Sequence, residues 1–240
     1  PQPVRLVRYA DERDLLGRRD LSRQTFPEFM QHNEPGGRWW ASLYDRFPAF
    51  QLALLDGDEI VAEGHSLPVP WDGSVQGLPR GWDHAFELGM TADEAPTALS
   101  ALVISVRPAR QGQGLAARMI QAFGDAARDE GLGDLIAPVR PTWKERYPLT
   151  PIERYLHWRR EDGSHFDPWL RVHERVGGEL VAPAPESMLI EAPVASWEEW
   201  TEMRFPEDGT YVFPGALAPL EVREGIGRHV EPNIWVRHRL

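Results

Sequence analysis

The clearest chemistry in this chain is offered by Gly112 and Gly114, in the run Gln111-Gly112-Gln113-Gly114-Leu115-Ala116. Glycine permits a tight turn at which backbone N–H groups converge, because it enters conformations closed to other residues. From Leu115 onward the apolar residues are Leu115, Met119, Ala122, Phe123 and Ala126, which is helical spacing. The first turn of a helix has N–H groups without intrahelical partners, and its dipole favours negative charge. A pyrophosphate suits such a site, and side chains at Gly112 and Gly114 would obstruct it. Upstream, Ala101 to Val106 is a short apolar, β-branched run that reads as a buried strand ending before Pro108. Downstream, Gly131 is placed to stop the helix. The unit is therefore strand, glycine turn, helix.

In that setting Val106-x-Pro108-x-x-Gln111-Gly112-Gln113-Gly114-Leu115-Ala116 resembles the acyl-CoA pyrophosphate loop of the GNAT superfamily of N-acyltransferases. The family pattern is Arg or Gln, two residues, Gly, one residue, then Gly or Ala, and Gln111, Gly114 and Ala116 match it. The competing reading is a dinucleotide fold, since Gly112-x-Gly114-x-x-Ala117 satisfies its fingerprint. Against it, Arg107 to Gln111 separate the strand from the first glycine, and a strand hairpin precedes the unit. The acidic residue some 20 positions on should also close the next strand, whereas Asp134 precedes the run Leu135 to Val139. A plain helix-capping turn is the remaining structural reading.

The elements around this unit follow the order the resemblance implies. Val4 to Tyr9 is a strand candidate, followed by helices over about Glu12 to Met30 with a break near Asp20. Trp39, Trp40, Leu43 and Tyr44 recur at helical spacing and read as core packing. Phe50 to Leu55 and Glu59 to Leu67 flank Asp56-Gly57 as a hairpin. Pro68 to Asp83 reads as a long loop. Leu135 to Val139 is the next strand, where Pro138 removes one ladder donor and would help it part from the central strand. Arg140 to Phe166 is an insertion carrying Trp143, Tyr147, Tyr155, His157 and Trp158. Asp167-Pro168 is a helix start, and the helix ends at Gly177-Gly178. Glu179 to Ile190, Gly209 to Val222 and Asn233 to His238 are strands, with a short helix at Trp197 to Met203. The expectation is one α/β domain over residues 1–240: a GNAT-like, mostly antiparallel sheet with splayed central strands between helices. Its core spans about residues 4–190, and residues 191–240 extend the sheet.

Composition narrows the function classes. Of 240 residues 42% are hydrophobic, enough for a core, and cysteine is absent, which excludes a disulfide framework and a thiol nucleophile. A net charge of −11 argues against nucleic acid as partner. No long apolar run points to a membrane, and the opening residues do not read as a signal peptide, so the cytoplasm is expected. His157, His165 and His173 lack metal-ligand spacing, and Gly-x-Ser-x-Gly is missing.

The resemblance implies acyl transfer from acetyl-CoA, or another acyl-CoA, to a small amine by direct attack on the thioester. On this reading the backbone of Ile104, Ser105 and Val106 holds the pantetheine arm and thioester. Gln111, Gly112, Gln113, Gly114, Leu115 and Ala116 hold the pyrophosphate. His173-Glu174-x-x-Gly177-Gly178 resembles the family's Tyr-Glu-x-x-Gly-Phe segment, which makes His173 the expected acid toward the CoA thiolate. Candidates for the base are Glu63 on the hairpin, and Glu87 and His84 before the central strand. Trp143, Tyr147 and Trp158 are the expected wall of the acceptor pocket. No metal is expected, and whether the chain pairs as a homodimer stays open. Other readings of the same fold are an acyl-CoA sensor without catalysis, and an acyl-CoA decarboxylase or hydrolase.

Overall fold

The computed structural model describes residues 3–18 and 21–240. A break near Asp20 between the first two helices lies outside the described residues. The chain builds one nine-stranded sheet in the order β1-β2-β3-β4-β5-β9-β8-β7, with β6 pairing β9. Strands β1 (Arg5–Arg8), β2 (Gln51–Asp56), β3 (Glu59–Val69) and β4 (Ala98–Val106) form an antiparallel half. The hairpin between β2 and β3 turns at Gly57, where φ is +60°. Between β1 and β2 lie three short helices, α1 (Leu21–Thr25), α2 (Glu34–Trp39) and α3 (Ser42–Arg46).

Helix α4 (Trp82–Thr91), which takes in only the last two residues of the expected loop, was not expected. Its Gly81 start and internal Gly89 hid it from propensity reasoning. Close packing explains Gly89: an added Cβ would lie 2.3 Å from a Leu67 side-chain atom.

The pairing of β4 with β5 (Asp134–Val139) is parallel and covers only Ala98 to Ser100 against Asp134 to Ile136. Beyond that point the two strands part, two residues before Pro138. β5 keeps its other edge on β9 (Ile226–Arg239) through Val139. Residues 191–240 carry the sheet on beyond β5. β9 lies directly beside β5 and also carries β6 (Glu179–Pro193) and β8 (Leu220–Arg223), with β7 (Gly209–Tyr211) at the edge. The expected strand from Gly209 to Val222 is thus two strands, broken where Pro214, Gly215 and Pro219 interrupt the ladder.

Each face of the sheet has its own apolar layer. On one face α5 (Leu115–Asp129), α6 (Ile152–Tyr155) and α7 (Pro168–Arg175) pack against Leu52, Leu54, Leu99, Ile234 and Val236. On the other, α1 to α4 and α8 (Val194–Thr201) pack with Leu102, Met188, Trp197 and Trp235. Trp197 is fully buried in this layer, and the half-buried Trp39, Trp40 and Trp200 pack against it. α5 lies so close to β3 that a Cβ at Gly64 would stand 2.6 Å from the Met119 sulfur. Among the described residues no helix is long and apolar enough to cross a membrane.

Candidate active site

The parting of β4 from β5 opens a cavity of about 690 Å³ that reaches both faces of the sheet. Ala101 to Val106 line one side and Ala137 to Arg140 the other. On the α5 face it meets Gln111, Ala116, Trp169 and His173; on the opposite face it meets Trp40, Trp82, Met188, Glu231 and Asn233.

At the first end, Gly112 and Gly114 have φ of +76° and +77°, left-handed values that favour glycine. Nothing lies within 4 Å of a Cβ built on either, so the space above the turn is open. Gly114 is the N-cap of α5, which places the free N–H groups of Leu115, Ala116 and Ala117 beside that space. Ile104, Ser105 and Val106 pair with Gly64, Glu63 and Ala62 on β3, while their other edge has no partner on β5. Of the expected cofactor residues, Ile104, Ser105, Val106, Gln111 and Ala116 line the cavity. A register shift in β4 near Leu102 also frees the Leu102 carbonyl, which accepts the indole N–H of Trp82 at 2.8 Å.

His173, on α7, is 2% exposed and lines the cavity beside Trp169, ring centroids 4.6 Å apart. Its Nδ1 is 3.0 Å from Nε2 of His238. His238 in turn donates toward the Val176 carbonyl. That order of protons makes Nδ1 of His173 the donor and leaves a lone pair on its Nε2, which has no hydrogen-bond partner. Burial, with the His238 ring adding to it, pushes the His173 ring down to about 3. Burial keeps the ring neutral, with an acceptor nitrogen unused.

The remaining candidates are placed elsewhere. Glu63 is buried on β3, where its carboxylate accepts the Tyr9 hydroxyl at 2.8 Å, and it does not line the cavity. Glu87 is exposed on α4, away from the cavity lining, and His84 Nδ1 accepts the Arg80 N–H at 3.1 Å. Neither is brought to the reacting centre. Trp143, Tyr147 and Trp158 do not line the cavity either, a correction with a clear cause. Each of them packs on Phe166, and Tyr147 and Trp158 pack on each other, ring centroids 4.9 Å apart. Beneath them the Tyr155 hydroxyl donates to Asp167 at 2.8 Å, and Asp167 caps α7 by accepting from Trp169 and Leu170. The aromatic insertion therefore anchors the helix that carries His173. Only its beginning reaches the cavity, through Arg140, Thr142 and Glu145.

Sequence reasoning missed the residues that β9 supplies. Glu231 and Asn233 line the cavity, and His229 lies behind them; all three alternate with Ile234 and Val236, which face α5. Their alternation along β9 was the available signal. Lys144, the single lysine, is buried, its ammonium donating to the Tyr147 and Leu217 carbonyls at 2.7 and 2.6 Å.

No protein-family model matches the chain. A curated relative, an arginine N-acetyltransferase (avaD) of Aspergillus versicolor, is 33% identical over 247 residues, covering 89% of this chain and 84% of the relative. The chain belongs to the GNAT superfamily of N-acetyltransferases. It is an acyltransferase. Solved structures of the same fold include the loading GNATL domain of CurA from Lyngbya majuscula, with a TM-score of 0.64, 19% identity and 99% and 98% of the two chains covered. The GphF GNAT-like decarboxylase, solved with isobutyryl-CoA, aligns at a TM-score of 0.59 with 17% identity over 99% of both chains.

Proposed function

We propose that this GNAT enzyme transfers the acetyl group of acetyl-CoA to an amine of a small molecule by direct attack on the thioester. The observation that carries the reading is the cavity itself. It passes through the gap between β4 and β5, with the glycine turn at one end and buried polar side chains at the other. Pyrophosphate sits on the N–H groups of Gly112 to Ala116. The pantetheine arm lies along the free edge of β4 at Ile104 to Val106, and N–H groups of that edge stabilise the oxyanion. The amine enters from the opposite face. As its nitrogen bonds to the carbonyl carbon, Nε2 of His173 takes the proton it loses. The C–S bond then breaks, and the same nitrogen returns the proton to the thiolate. One proton moves from nitrogen to sulfur, and no enzyme nucleophile is needed, in keeping with a chain that has no cysteine. The relative's name makes arginine the first acceptor to offer.

The test is thiol release from acetyl-CoA with arginine and a panel of other amines, with the products weighed by mass spectrometry. Thiol release that requires the amine, matched by N-acetyl product, is the expected result. Release without amine, or CO₂ from malonyl-CoA, would make the protein a hydrolase or decarboxylase. Acetyl-CoA binding with no turnover on any amine would make it a sensor.

A further inference from the structure

We infer that Arg140 forms a carboxylate-binding subsite, so that the acceptor is an amine bearing a free carboxylate, the chemical class of an amino acid. This rests on the acyl-transfer reading for the meaning of "acceptor", while the subsite itself stands on the following geometry. Arg140 lies one residue beyond β5, where that strand has parted from β4, and its side chain is 16% exposed on the cavity wall. Its Nε donates to Oε1 of Glu231 at 2.6 Å, and its Nη2 donates to the Gly215 carbonyl. Among the described residues its Nη1 has no partner. A guanidinium carries five N–H donors in a planar fork. With two of them engaged, three donors remain for a carboxylate, two on Nη1 and one on Nη2.

The neighbouring carboxylate cannot serve a ligand instead. Glu231 is 1% exposed and both its oxygens are occupied, Oε1 by Arg140 and Oε2 by Nε2 of His229. His229 is held from behind, its Nδ1 3.2 Å from the Pro219 carbonyl. Glu231 therefore fixes Arg140 rather than competing with it for substrate. The ammonium of Lys144, also near Glu231, is bound to two carbonyls and to no carboxylate. The cavity lining holds Arg23 and Arg140 against Glu145 and Glu231, so it is the free donors of Arg140, not an excess of positive charge, that select an anion. The anion is not the CoA pyrophosphate, whose donors are on the α5 face, whereas Glu231 and His229 project from the other face of β9.

The experiment compares amino acids with the amines left when their carboxylate is removed: arginine with agmatine, ornithine with putrescine, histidine with histamine. Thiol release gives KM, and calorimetry on the CoA-loaded full chain gives Kd independently of turnover. In at least one pair the carboxylate-bearing member should have KM and Kd lower by about tenfold or more. Arg140→Met should bring that member to the level of its partner amine, whose own constants move less than about threefold, with acetyl-CoA affinity kept. Arg140→Lys, which keeps the charge and loses the fork, should fall between. Because Arg140→Met leaves Glu231 short of a partner, Arg140→Met with Glu231→Gln removes both charges and should show the same loss. Equal constants within every pair would overturn the subsite, as would a loss shared by the decarboxylated amines, or no binding by any member. A preference for malonyl-CoA over acetyl-CoA that Arg140→Met abolishes would also overturn it, by placing the carboxylate on the donor. Selective binding without turnover would sink the acyl-transfer reading and leave the subsite standing.

Discussion

The two faces of the sheet handle charge by different means. On the α5 face the proposed pyrophosphate site is made of backbone, two left-handed glycines and a helix N-terminus, and two nearby cations are tied elsewhere. Arg107 pairs with Glu59 and Arg110 with Asp56. On the other face the backbone is sealed in strands, and the site is made of buried side chains holding one another: Arg140, Glu231 and His229. Backbone donors suit a group that is the same in every acyl-CoA. Side chains can change without disturbing the fold, so they suit the partner that differs between relatives. His173 stands where the two meet, on a helix of the first face but bonded to His238 of the strand that supplies the second.

Removing that meeting point should have the largest effect. His173→Phe keeps an aromatic ring against Trp169 and loses the proton carrier. General acid–base groups contribute about 10²–10⁴-fold, so kcat should fall by that order while the acetyl-CoA Kd stays within a few fold. A variant with parental kcat would show that the two faces meet elsewhere.

A smaller effect is expected at the backbone site. Gly114→Asp puts a carboxylate where the pyrophosphate binds and forces a φ of +77° on a residue with a Cβ. Acetyl-CoA affinity should drop at least tenfold, about 1.4 kcal/mol, with the acceptor KM little changed. Unchanged acetyl-CoA binding in a folded variant would break the division of labour between the faces.

The same division explains what the sequence could show. The backbone site is contiguous from Leu99 to Gly131, so its strand, its glycines and its helix period were all readable in one window. Asp167-Pro168 was legible for the same reason, a local cap with local partners. The side-chain site joins Arg140 to residues 89 and 91 positions away, His229 and Glu231, through the β5–β9 pairing. No local pattern in either stretch announces that pairing. The aromatic insertion misled because tryptophans and tyrosines suit a pocket wall and a packed anchor equally well, and only the burial of the Tyr155–Asp167 bond separates the two. Glu63 misled in a similar way: a carboxylate on the right strand, turned toward Tyr9 instead of the cavity.

The smallest effect concerns stability, and it tests whether the His173–His238 contact is held without charge. A histidine whose folded value is pushed down to about 3 stays neutral in the native state, while in the unfolded chain it takes a proton near its ordinary value of about 6.5. Between those values the unfolded state binds more protons, so stability from this group is present above about pH 6.5 and is lost as pH falls. From pH 7 to pH 6 the loss is about 0.7 kcal/mol for one histidine held neutral. Burial lowers His238 as well, and its effect has the same sign. Asp83 acts oppositely: burial raises it to about 6, so the folded state holds its proton more tightly and gains on acidification. Comparing each protein with itself at the two pH values, and then parent with His173→Phe, cancels Asp83. Urea unfolding should therefore show the parent losing about 0.7 kcal/mol more than the variant between pH 7 and pH 6. An identical loss in both would mean that His173 takes up its proton equally in the folded and the unfolded chain, and that burial does not hold its ring neutral.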